Sequence, residues 1–108
     1  MEENKVLGKR VISDKAGSSV EIILYAPQSD EHGDYYCEFS LDGLTWTGRR
    51  RRAYGIDAIQ AIYLALQSIG SDLEELQRSG GYKLKWAGGT QVGDFGLPTI
   101  TADYGGLQ

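Results

Sequence analysis

The stretch "DYYCEFSLDGLTWTGRRRR", residues 34–52, decides how the first half of the chain is read. Asp42-Gly43 sits between two apolar and aromatic runs. Asp-Gly is a strong two-residue hairpin signal, because both turn residues take positive φ at low cost there. "YYCEFSL" alternates Tyr35, Cys37, Phe39 and Leu41 against Tyr36, Glu38 and Ser40, the period of a strand with one covered face. A loop at Asp42-Gly43 sets Leu41 opposite Leu44, Phe39 opposite Trp46 and Cys37 opposite Gly48. On the other face Glu38 falls opposite Thr47, Tyr36 opposite Arg49, and Asp34 opposite Arg51. Arg49 and Arg51 therefore meet an acidic, aromatic neighbour strand. Arg50 points toward the apolar face near its end, where its stem lets the charge reach water. Arg52 enters the connection that follows.

Outward from this hairpin, "SSVEIILYAP" alternates Val20, Ile22 and Leu24 against Glu21, Ile23 and Tyr25, and Pro27 ends the segment. "KVLGKRVIS" is a less regular strand, joined to it by a "DKAG" turn. Residues 1–52 thus form a four-stranded antiparallel meander.

"IDAIQAIYLALQSIGSDLEELQRSGG", residues 56–81, changes period. Ile59, Ile62, Leu66, Ile69, Leu73 and Leu76 recur every three or four residues, one apolar stripe along a helix of about six turns. Ala58, Ala61 and Ala65 flank the stripe and permit close approach to a sheet. Asp57 suits the first turn, and Gly80-Gly81 supplies the stop. "SDLE" after Gly70 could restart the helix as a capping box, but the unbroken stripe predicts one helix over 56–79. Tyr63 and Leu64 lie off the stripe: either the C-terminal tail covers them, or they form a self-association patch that makes a homodimer. Residues 82–102 read as one or two short strands, "YKLKW" and "TITA", around a glycine-rich loop, and 103–108 as a frayed tail. The expected fold is α+β in a single domain, 1–108: the meander, one long helix on its apolar face, and the short C-terminal strands.

The chain has 108 residues, a net charge of −4 and ordinary hydrophobic content, enough for one modest core. Residues 1–48 hold four Lys/Arg against nine Asp/Glu, so Arg49–Arg52 are a basic island in an acidic chain. Broad nucleic-acid surfaces need many phosphate contacts, which makes a nucleic-acid partner an alternative rather than the leading reading. That alternative would use Arg49, Arg50, Arg51 and Arg52. No apolar run reaches membrane-spanning length and no leader is evident, so the expected location is cytoplasmic.

Catalytic and cofactor chemistry finds little purchase. His32 is the only histidine and Cys37 the only cysteine, the latter mid-strand on the inward face. "GGTQVGDFG" lacks the Gly-Lys-Ser/Thr ending and the following helix of a phosphate loop. A small-molecule site near it, with backbone approached through glycines, is a third possibility. The expectation is a non-enzyme with no metal or cofactor.

From the Gly-Ile-Asp-Ala-Ile-Gln-Ala start of the helix to the "WAGG" and "GDFGLP" tail, the chain resembles a family of small uncharacterised bacterial proteins. That resemblance implies no activity and assigns no residue. The leading functional expectation is a non-catalytic protein-binding module, immunity- or antitoxin-like, which neutralises a basic partner. Its candidate contacts are Asp30, Glu31, Asp34 and Tyr36, with acidic steering speeding the encounter.

Overall fold

The computed structural model describes residues 5–98. Strands β1 (Val6–Ser13), β2 (Ser19–Tyr25), β3 (Gln28–Ser29), β4 (Tyr35–Gly43) and β5 (Trp46–Gly55) precede one helix, α1 (Ala58–Gly80), and a last strand, β6 (Lys85–Trp86). Every pairing is antiparallel. The fold is α+β, with six strands: the expected meander of four, one short C-terminal strand, and one further two-residue strand, β3. β1, β2, β4 and β5 pair consecutively as that meander, while β3 and β6 are two-residue strands. The expected "TITA" strand lies outside the described residues.

Tyr35 and Tyr36 pair with both β3 and β5, so these two occupy opposite edges of β4. β3 is therefore the continuation of β2 along one edge, and β5 has β4 as its only strand partner among the described residues. Pro27 interrupts the strand because it has no N–H to donate, and pairing resumes one residue later than expected from β2. The β1–β2 turn forms at Asp14–Gly17, where the Asp14 carboxylate accepts from Ala16 N and Ser18 N at 3.0 and 2.9 Å.

The β4–β5 hairpin departs from the expected register. Gly43 pairs with Trp46 and Asp42 with Thr47, so the turn residues are Leu44 and Thr45, with Leu44 at φ 57°. Gly43 stays in the strand for a different reason: a Cβ there would lie 2.4 Å from the Ser19 carbonyl oxygen. The glycine is demanded by close backbone approach as well as by its φ of 125°. Beyond the turn, Ser40 faces Arg50, which leaves Leu41 alone against Gly48 and Arg49. This is a β-bulge, and Gly48 at φ 84° carries it.

The inserted residue reverses which arginines face which way. Phe39 now faces Arg51, and Glu38 faces Arg52. Arg51 consequently stands on the helix side of the sheet. Arg50 and Arg52 stand on the opposite side, with Tyr36, Glu38 and Ser40. The expected contacts of Arg49 with Tyr36 and of Arg51 with Asp34 do not form.

α1 lies over β4 and β5. Asp57 caps it, its carboxylate accepting from Gln60 N at 2.8 Å, while the Gln60 side chain accepts from Ile56 N at 2.8 Å. The helix passes Gly70-Ser71 without a break and ends at the left-handed Gly81. Its buried line is Ala61, Ala65, Ile69, Leu73 and Leu76; Ile62 and Leu66 are only half-buried and Ile59 is 78% exposed. The helix start packs so tightly on the end of β5 that a Cβ on Gly55 would lie 2.6 Å from Ala61 N. At that separation alanines fit between the layers and Ile59 does not.

The core joins Ile12, Val20, Ile22, Cys37, Phe39 and Leu41 of the sheet to the buried line of α1, with Leu84 and Phe95 closing one end. Arg10 holds the C-terminal loop: its guanidinium stacks 3.9 Å from the Trp86 ring and donates to the carbonyls of Phe95 and Gly96, both at 3.0 Å. Cβ atoms on Gly88 or Gly96 would lie 2.6 and 2.8 Å from that ring. Glycines of this loop let the backbone wrap Trp86.

Candidate interaction surface

Among the described residues, nothing covers the face of the sheet opposite α1. On it Tyr25, Ser40 and Glu38 are nonetheless buried, because arginines from the edge strand lie across them. Arg52 Nε donates to Glu38 Oε2 at 2.9 Å, and Arg50 Nη1 to Glu38 Oε1 at 3.4 Å. The Glu38 side chain is 11% exposed, while those of Arg50 and Arg52 are 51% and 45% exposed. One nearly buried carboxylate thus holds two half-exposed guanidinium groups.

Each guanidinium also lies on an aromatic ring. Arg50 Cζ stands 4.1 Å from the Tyr25 ring, and Arg52 Cζ 4.0 Å from that of Tyr36. Such stacks contribute about 0.5–1 kcal/mol each where exposed. Tyr54 extends the row, its ring 5.9 Å from Tyr36 and its hydroxyl accepting from Arg52 Nη1 at 3.4 Å. Hydrogen bonds from Arg52 to Tyr54 and then Glu38 hold its guanidinium above its ordinary range, so its charge is permanent. Tyr36 donates to Gln28 Oε1 at 2.8 Å, which fixes the ring that Arg52 covers. The result is a pre-ordered row of Tyr25, Arg50, Glu38, Arg52, Tyr36 and Tyr54.

On the other side of β5, Arg51 lies over Phe39 with its Cζ 4.9 Å from the ring, and pairs with Asp72 of α1. This pair sits in a groove of about 470 Å³ between β5 and α1, which Ala53, Tyr54, Leu64 and Gln67 also line. Arg49, at the bulge, is exposed and makes no ion pair among the described residues. Arg50, Arg51 and Arg52 do pair within the chain, but through Glu38 and Asp72.

The acidic turn is divided. The Asp30 carboxylate accepts from the backbone N–H groups of His32 and Asp34 at 2.8 and 3.0 Å and shapes the loop between β3 and β4. Glu31 lies 3.8 Å from His32, both largely in solvent, and Asp34 is exposed. Tyr36 belongs to the open face. Tyr63 and Leu64 also separate: Leu64 lines the β5–α1 groove, whereas Tyr63 is exposed on the helix beside Ile59.

Cys37 is buried and donates to the Tyr25 carbonyl at 3.2 Å. Burial, reinforced by the Glu38 carboxylate, pushes its thiol up to about 11. No three His, Cys, Asp or Glu side chains converge on a metal-sized site among the described residues. No helix among them is long and apolar enough to cross a membrane.

Residues 8–99 match the family described as Domain of unknown function (DUF6968). The chain belongs to that family. Neither the curated proteins nor the solved structures contain a match to it. The DUF6968 match takes in all six strands except the start of β1, the whole of α1, and every residue of the Tyr/Arg row.

Sequence reasoning missed Tyr25, Tyr54 and Asp72 as parts of these sites. The available signal was Gly48, two residues past the turn strand's start, where a glycine favours a bulge. With the bulge in place, the parity of the strand assigns Arg50 and Arg52 to Glu38.

Proposed function

We propose that this DUF6968 domain is a non-catalytic protein-binding module that meets its partner with the open face of its sheet. The single observation that carries the proposal is the uncovered row of Tyr25, Arg50, Glu38, Arg52, Tyr36 and Tyr54. Tyrosine and arginine dominate the energetics of protein interfaces, and here their conformations are already restrained by stacking and by Glu38. A partner that lands on this row orders few side chains on this side, and Tyr54, 53% exposed, offers apolar area to cover. Two guanidinium groups on one carboxylate leave the row positive, which favours an acidic partner. A toxin-neutralising role would instead bring a basic partner to the Glu31 and Asp34 carboxylates beside it. The buried, hydrogen-bonded Cys37 thiol supports a packing role rather than a nucleophile's.

The nucleic-acid reading draws less support, because the basic surface is confined to Arg49–Arg52 in a chain of net charge −4, too small for the many phosphate contacts such a surface needs.

A photo-crosslinking amino acid in place of Tyr54, with the same replacement at exposed Glu74 of α1 as control, tests the proposal in nuclease-treated native lysate. A discrete protein adduct from position 54 alone supports it. Equal adducts from both positions, or none from 54, refute it.

A further inference from the structure

β5 has ten residues, and β4 is its only strand partner among the described residues. Among the described residues, alternate N–H and C=O groups along its outer side therefore have no strand beside them, the arrangement that accepts an added strand. The bulge at Gly48 bends the first part of this edge, so the regular template is Arg50–Gly55. Beside it runs the groove shared with α1, large enough at about 470 Å³ for an inserted side chain, with Ala53 and Leu64 as apolar walls.

Charge decides what can lie there. Arg49–Arg52 bring four guanidinium groups to the edge, and the ion pairs of the described residues return two carboxylates, Glu38 and Asp72. A second copy of the chain pairing antiparallel through β5 would set arginine against arginine. Like charges directly opposite destabilise a strand pair, so this edge is defended against its own copy. An acidic strand meets the reverse: its alternate carboxylates fall beside Arg50 and Arg52 on the open face, or beside Arg51 on the groove side.

We infer that the outer edge of β5 accepts an extended, acidic segment of a partner protein by strand addition. The inference rests on the protein-binding reading above and gives the partner its chemical class. The added strand takes backbone hydrogen bonds from Arg50–Gly55, places carboxylates among the arginines, and sends one small apolar side chain into the groove against Leu64.

The test uses the whole isotope-labelled protein and two capped eight-residue peptides, one alternating Glu with Thr and Val, the other with Lys in place of every Glu. Backbone amide exchange and chemical shifts are followed at low salt. The Glu peptide is expected to slow exchange at alternate amides between Arg50 and Gly55, and the Lys peptide to leave them unchanged. Arg49→Glu, which breaks no ion pair among the described residues, is expected to weaken the Glu peptide about fivefold. Absence of β5 protection by the Glu peptide, or equal protection by the Lys peptide, overturns the inference. Shifts at Tyr36, Arg52 and Tyr54 without protection of β5 amides overturn strand addition alone and leave the open-face reading standing. Loss of the position-54 crosslink described above defeats the open-face reading itself.

Discussion

Removing either side of the Glu38 cluster breaks the same contacts, yet the two losses should differ in cost. Glu38→Gln frees two guanidinium groups whose side chains are about half exposed, so both recover hydration by small rotations. The stacks on Tyr25 and Tyr36 persist. The lost hydrogen bonds are charge-assisted but partly solvent-screened, and the expected cost is about 1–2 kcal/mol. Arg50→Met with Arg52→Met instead leaves a carboxylate only 11% exposed without its guanidinium partners. Taking both guanidinium groups from a nearly buried carboxylate costs about 3–5 kcal/mol. A third variant, Glu38→Met with both arginine changes, removes the charge as well and should recover most of that loss.

Urea unfolding at pH 7 measures all three, with the slope checked for constancy so that the differences report stability. For a domain of this size the first variant should lower the melting temperature by about 5–10 °C, and the double arginine variant should lower it by more than twice that. The reasoning fails if the carboxylate and arginine variants cost the same, or if the triple variant is no more stable than the double. Either result would mean that Glu38 reaches water more freely than its burial implies.

Gly43→Ala should cost about 3 kcal/mol in the same unfolding assay, since its Cβ would meet the Ser19 carbonyl and its φ is unsuited to a side chain. Leu44→Asn should stabilise by about 0.5–1 kcal/mol, because Leu44 is the one described non-glycine residue at positive φ and asparagine tolerates that region better. Cys37 should label with iodoacetamide only as fast as the protein opens, and stability should change with pH in a defined window. Its folded value of about 11 lies above the ordinary 9.0, so the folded state holds a proton that the unfolded chain releases. Stability is complete below pH 9 and falls by about 2–3 kcal/mol as pH rises toward 11, a slope that Cys37→Ala should remove. Asp57→Ala should cost about 1 kcal/mol and be visible as loss of helical circular dichroism on mild heating.

Local chemistry made most elements legible. Alternation in "SVEIIL" marked β2, the Asp14 turn followed from "DKAG", and the double glycine marked the end of α1. The β4–β5 register was harder to read, because Asp42-Gly43 offers a turn whereas Gly43 is required by the neighbouring strand. A glycine in a sequence does not state which of its two uses applies. Ile59 misled for a similar reason: hydrophobicity places the largest side chains inward, while the spacing between α1 and β5 admits alanine. The open-face site depended on both matters at once, since the partners of four consecutive arginines follow from strand parity alone.

That parity gives the arginine run a coherent physical meaning. A regular strand continuing the hairpin's register from Asp42 and Thr47 would send Arg50 and Arg52 toward the apolar layer and Arg51 to the open side. Arg50 would then compete for the space between sheet and helix. The single inserted residue at Gly48 sends one guanidinium, Arg51, to lock α1 through Asp72, and two to the open face where Glu38 and the tyrosines hold them. The bulge also bends the edge strand at its start, a known defence against unwanted pairing, while leaving Arg50–Gly55 regular. One glycine therefore links the stability of the helix–sheet contact to the charge presented outside. A mutation that straightens β5 should be felt at both.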